Sequence, residues 1–422
     1  MSADATVSRR TVLAAAVALI TAGCTSAAGS ASSAELAWAT GGVNGADRDG
    51  ALDVVARWHA LYPNGPKVGV EPLPLSTNEQ QELLGLELNA GLSNLDVLSL
   101  DVVWIPEFAQ RGWLVDLHEL RSEIEQVSLP GPVRAAVWNG TLWAAPTVTD
   151  VGILYYRSDL VGKPPTTWQE LIATGRQVGE RNGIAPFVAD GKQYEGLVVQ
   201  YLEYFWGLGG EVFDRDGQSV LFQPDKALQA LEFMRSAFLE GVYAPGFNTM
   251  DQEDARKTFQ NGDAVFLRSW PYAYREMTGG DPDSQVVGKV GVAPLPTFPG
   301  HGPVAALGGH NMAVSAFSRN IPAATEFARF VSTSRDVQLA TFQRQSLAPT
   351  MKGVYRDLVG DPLVALLATV LPTARPRPAT TQWATISSEM QQQIFAAYTG
   401  DSDPKGAVDA LRNFLIATVK GS

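Results

Sequence analysis

The stretch "LDVLSLDVVW", Leu95 to Trp104, decides the fold. It is apolar almost throughout, broken chiefly by its aspartates. A half-exposed strand would alternate apolar and polar residues. A continuous apolar run fits a strand covered on both faces, as in a parallel sheet flanked by helices. The segments around it agree. "LAWATGG" (Leu36 to Gly42) reads as a buried strand ending in a glycine turn. "DGALDVVARWHALYP" (Asp49 to Pro63) places Leu52, Val55, Trp58 and Leu61 at helical spacing, and Pro63 stops it. "VGILYY" (Val151 to Tyr156), "VGVAPLP" (Val290 to Pro296) and "NMAVSA" (Asn311 to Ala316) read as further strands. A helix is expected from Trp168 behind Thr166 and Thr167. Another is expected from Pro224 to Gly241, with Leu228, Leu231 and Phe238 on one face. Strands alternating with helices give an α/β class with open sheets.

A chain of 422 residues exceeds one typical core, so two lobes are expected. Apolar residues make up 45% and charged residues 18%, which argues against long disorder. The net charge of −12 makes nucleic acid an unsuitable partner, because phosphate binding needs a basic footprint.

At the N-terminus, Arg9 and Arg10 precede an apolar run from Val12 to Ala22. That run is too short to span a bilayer, which takes about 20 residues. It reads as a signal-peptide core over residues 1–23, and the arginine pair resembles a twin-arginine export signal. Cys24 is the only cysteine, so no internal disulfide exists. Following small residues, it resembles the lipidated cysteine of bacterial lipoproteins. Thr21 stands where that motif usually carries Leu, Val or Ile. Residues 24–35, rich in Ser, Ala and Gly, then read as a flexible tether. An exported lipoprotein on the extracytoplasmic face of the membrane is expected.

Catalytic signatures are missing: the sequence has no HExxH, GxSxG, Walker loop or GxGxxG opening a helix. The four histidines, His59, His118, His301 and His310, show no metal spacing, so neither metal nor cofactor is expected.

Eight segments in order carry a resemblance over nearly the whole mature chain. They are "LDVVWIPEFAQRGWLVDL" (Leu100 to Leu117), "GILYYRSDLV", "KPPTTWQEL", "QYEGLVVQYLEYFWGLGG" (Gln193 to Gly210), "RSWPYAY" (Arg268 to Tyr274), "GKVGVAPLPTFPG", "LGGHNMAVS" and "ARPRP". Together they resemble the extracellular sugar-binding proteins of ABC importers, the maltose-binding-protein-like family. Within it the chain looks closest to the trehalose/maltose branch and to mycobacterial trehalose-binding lipoproteins. The resemblance implies a two-lobed fold with sugar in the cleft, hinge closure and delivery to a membrane permease. It implies a monomer with no enzymatic activity. Lobe I is expected over 36–148 and 271–332, and lobe II over 149–270 and 333–422.

A sugar presents C–H faces that stack on aromatic rings and a hydroxyl rim that needs carboxylates and guanidinium. On the family pattern, Trp270 and Tyr272 would be ring contacts, with Pro271 fixing their loop. Asp101, Asp150 and Arg377 match sugar-contacting positions, and Glu195 is a further candidate. Arg375 is an alternative to Arg377, and Tyr274 is divided between ligand and packing. Gly308 and Gly309 would let backbone approach the ligand. His310 stands where relatives often place Trp, and Val148 where some carry Tyr. Asn44 or Asp47, in "GGVNGADRDG", would line the cleft. Two alternatives stay open here. One is a secreted glycoside hydrolase using paired carboxylates such as Asp101 and Asp150. The other is the same fold binding a glycerophosphodiester or an amino sugar.

Overall fold

The computed structural model describes residues 36–41, 45–214, 217 and 219–420. The signal peptide, Cys24, the tether and Asn44 lie outside them, as does the side chain of Asp47. No helix among the described residues is long and apolar enough to cross a membrane.

Along the chain, β1 (Leu36–Thr40), α1 (Gly45–Leu61), β2 (Val68–Pro72), α2 (Thr77–Asn89) and β3 (Val97–Asp101) come first. Then β4 (Ala145–Val151) runs through Gly152 into β5 (Ile153–Arg157). After α3 (Trp168–Asn182) come β6 (Ala185–Val188), α4 (Glu195–Gly207), α5 (Pro224–Leu239), α6 (Gln252–Gln260) and β7 (Ala264–Ser269). The C-terminal third adds β8 (Val290–Ala293), β9 (Ala306–Val314), α7 (Ile321–Thr333), α8 (Arg335–Gln345), β10 (Arg375–Pro376), α9 (Trp383–Thr399) and α10 (Pro404–Lys420).

These strands form two main sheets, each with its own helices, and so two lobes. In the first, β1 pairs in parallel with β2 and β3, and β9 runs antiparallel to both β3 and β4. All five residues of β3 are buried, as its unbroken apolar run requires. Trp38, Trp58, Phe327 and Phe330 pack edge-on beneath this sheet, joining it to α1 and α7. The second sheet has the order β8-β5-β7-β6, with only β6 and β7 parallel. Trp168, Tyr204, Phe233 and Phe298 form its aromatic core.

Local signals explain the helix limits. Thr167 and Glu170 form a reciprocal capping box at the start of α3. Gly183 ends that helix at φ 68°, a conformation that suits glycine.

The chain crosses from one sheet to the other at Gly152 and again between β8 and β9. Two segments sit differently from the expected lobe limits. β8 pairs with β5 in the second sheet, although it falls within 271–332. α8 packs on α1 in the first lobe, although it follows residue 333. Which sheet a short strand joins depends on residues far away in sequence, and no local pattern encodes it.

Candidate functional site

Two clusters meet where the sheets face each other. The first is built on Arg377, which follows β10. Its Nη2 donates to Asp101 Oδ1 at 2.8 Å and its Nη1 to Glu195 Oε1 at 2.6 Å. Asp101 ends β3 of the first sheet. Glu195 opens α4 of the second lobe, where a carboxylate also meets the positive end of the helix. One buried guanidinium therefore ties both lobes together. Burial works against its charge, but the two carboxylates outweigh that and raise its affinity for the proton.

Both carboxylate oxygens of Glu195 accept from protein donors. Trp383 Nε1 donates to Oε1 at 3.0 Å, and the Ser387 hydroxyl donates to Oε2. Gln391 donates to Ser387 Oγ and accepts from Asn78 of α2 at 3.4 Å. Asp101 is used on one side only: Oδ1 also accepts from Val103 N at 3.1 Å, while Oδ2 has no donor among the described residues.

The second cluster is built on the face of the first sheet. Strand register sets His310 opposite both Asp101 and Val148, and sets Gly308 opposite Asp150. Directly paired residues project to the same side, so Asp101, His310, Val148 and Asp150 share one face. Trp270, reaching over from β7, lies against it. A Cβ on Gly308 would come within 3.2 Å of the indole and 3.3 Å of Asp150 Cβ, a tight fit, so the glycine gives the ring room to lie close to the sheet. Trp270 is half-buried, beside Asp150 and not sealed in a core. Its carbonyl accepts from Tyr155 Oη at 2.8 Å, which holds the loop ahead of the buried Pro271.

Asp150 is buried, and its Oδ1 has no hydrogen-bond partner. Burial pushes its carboxyl up to about 6, with Asp101 adding to the rise and His310 and Arg268 opposing it. Arg377 Nε is likewise buried without a partner. Unpaired polar atoms of this kind are costly unless something else satisfies them.

The remaining expected residues sit as follows. Tyr272 is half-buried, and its hydroxyl is committed to Glu253 of α6 at 2.5 Å. Gly309 has φ 128°, and a Cβ there would strike Val148 O at 2.3 Å. Close pairing of β9 with β4 therefore requires this glycine, independently of any ligand. Arg375 is not a second clamp: it pairs with Glu211 and lies over Trp206. Tyr274 is half-buried, and burial raises its hydroxyl. Arg377 also lines an open cleft of about 790 Å³, with Val102, Arg134, Trp206 and Phe213 among its walls. Asp150, Trp270 and His310 do not line that cleft.

Sequence reasoning missed Trp383, Ser387 and Gln391, whose spacing of four puts them on one face of α9. It also missed Glu203 and Arg268. Each is a charge inside an apolar run ("LVVQYLEYFW" and "AVFLRSW"), and such a charge is normally paired.

Among the described residues no group of His, Cys, Asp and Glu could hold a metal ion.

Comparison with known proteins fits this geometry. The profile of the family described as bacterial extracellular solute-binding protein matches residues 42–338. A probable ABC transporter-binding protein of Deinococcus radiodurans is 34% identical over 376 residues, covering 85% of this chain and 87% of the relative. A maltooligosaccharide ABC transporter solute-binding lipoprotein of Streptococcus pneumoniae is 23% identical, covering 67% of each chain. Among solved structures, maltose-bound MalE3 of T. maritima superposes with a TM-score of 0.84 at 35% identity, over 91% of this chain and 99% of that one. The chain belongs to the bacterial extracellular solute-binding proteins of ABC transporters and has their two-lobed, maltose-binding-protein-like fold.

Proposed function

We propose that this protein captures a disaccharide, trehalose or a related α-glucoside, and delivers it to the permease of an ABC sugar importer. The observation that carries the proposal is the corner formed by Asp150, Trp270 and Gly308. An aromatic ring and a buried aspartate, one of whose carboxylate oxygens lacks a partner, meet over the same glycine. A ring with a C–H face and a hydroxyl rim satisfies both at once. Trp270 stacks on the sugar. Asp150, Asp101 through Oδ2, and His310 accept or donate to its hydroxyls. Arg377 holds Asp101 in place and offers Nε, while Glu195 orients Arg377. Backbone at Gly309 borders the ligand and Tyr272 flanks it.

The maltose in the T. maritima relative supports a sugar as the ligand class. The charge balance supports it too: Arg377 and Arg268 each already face two carboxylates, so neither is a free cation for a phosphodiester. The same pairing of Asp101 disfavours a hydrolase, and we propose a binding protein without catalysis. The lobes divide as the sheets do, with β8 in the second lobe and α8 in the first. The chain acts as a monomer, exported by its signal peptide and anchored by lipid at Cys24.

Thermal-shift screening against trehalose, maltose and a panel of mono- and disaccharides tests this reading. A raised melting temperature with one α-linked disaccharide is expected. No shift with any sugar would overturn it.

A further inference from the structure

Behind Trp270 lies a buried charge cluster that direct ligand binding does not use. Arg268, only 1% exposed, stands at the end of β7. Its Nε and Nη2 form a two-pronged pair with Glu203 at 2.9 and 2.7 Å. Its Nη1 makes no hydrogen bond and lies 3.5 Å from Asp190. Its guanidinium carbon sits 4.2 Å from the centre of the Trp270 ring. The flat guanidinium therefore covers one indole face, as cation–π geometry favours.

Glu203 links the same cluster to the chain crossings. Its Oε1 also accepts from Ala306 N at 3.0 Å, the first residue of β9. A Cβ on Gly152 would lie 2.1 Å from that oxygen and 2.7 Å from Arg268 Nη2. Thus both strand crossings touch the pair that backs the indole.

We propose that Arg268 is a positioning residue for ligand binding. Held by Glu203, it fixes the plane of Trp270 and leaves the opposite indole face for the sugar. It touches no ligand itself. This rests on the reading of Trp270 as the stacking platform. Lysine at 268 keeps the charge but loses the planar fork, so it holds Glu203 without a flat surface for the indole.

The test is a double-mutant cycle in affinity for trehalose and maltose, measured by calorimetry on Arg268→Lys, Trp270→Ala and the double variant. Far-UV circular dichroism and melting curves confirm folding. Arg268→Lys should bind about tenfold more weakly, yet cost nothing further in the Trp270→Ala background. A purely structural role would give additive losses, and that result would overturn the proposal, as would Arg268→Lys binding like wild type. Unchanged affinity in Trp270→Ala, or a wild type that binds neither sugar, would overturn the underlying reading. A second measurement needs no ligand: fluorine NMR of protein labelled with 5-fluorotryptophan, with Trp270→Phe identifying the signal. Arg268→Lys should shift or split that signal and leave the others in place; an unmoved signal counts against the proposal. If Arg268→Lys does not fold, Glu203→Gln, which weakens the pair while keeping its shape, carries both tests.

Discussion

Asp150→Asn should make the empty protein more stable and the sugar-binding protein worse. The folded carboxyl is raised from 3.8 to about 6 by burial. A raised acid is favoured in its neutral form, so its contribution to stability is present below about pH 4 and is lost as pH rises through about 6. Two units correspond to about 3 kcal/mol at neutral pH, since each unit is worth about 1.36 kcal/mol. The buried amide must still find partners, which offsets about 1–2 kcal/mol of that gain. For a chain of this size a net gain of 1–2 kcal/mol raises the melting temperature by roughly 1–3 °C. Meanwhile the sugar loses a charged hydrogen bond worth about 1.5–3 kcal/mol, or roughly 10- to 150-fold in affinity. Scanning calorimetry without ligand, at about pH 4 and about pH 7.5, gives the first quantity, and titration calorimetry at about pH 7.5 gives the second. The stabilisation should appear at the higher pH and vanish at the lower. A variant destabilised equally at both pH values, with unaltered affinity, would refute the reasoning, because Asp150 would then be a structural acceptor.

Other perturbations separate binding from folding. Trp270→Ala should weaken disaccharide binding by at least about tenfold with a small change in melting temperature; titration calorimetry beside a thermal melt decides. Arg377→Met strips both Asp101 and Glu195 of their shared cation and should destabilise the fold by about 3–5 kcal/mol, read by urea denaturation. Gly309→Ala should lower stability by several kcal/mol through its clash with β4, and an unchanged denaturation midpoint would contradict that cause.

The features legible in the sequence were those written locally. The apolar run of β3, the capping threonine before Trp168, and the start of α5 at Pro224, with its end two residues short of Gly241, each depend on neighbours a few residues away. Strand partnership does not, so β8 was expected in the first lobe and found in the second sheet. At the site, Asp101 and Arg377 were picked out by resemblance to a family and Glu195 as a carboxylate opening an apolar helix, and 276 residues separate Asp101 from Arg377. What resemblance could not give was their mutual engagement. Glu195 spends its acceptors on Arg377, Trp383 and Ser387, and Tyr272 spends its hydroxyl on Glu253. Gly309 was expected to let backbone approach the ligand, yet strand packing alone demands a glycine there.

Titrating the purified chain with trehalose and maltose by calorimetry, then recovering the sugar for chromatography, examines the central proposition most directly. Saturable binding of one molecule per chain, with the disaccharide returned intact, is the expected result. Heat from neither sugar, or recovery of free glucose, would contradict a stacking cleft built to hold a carbohydrate without cutting it.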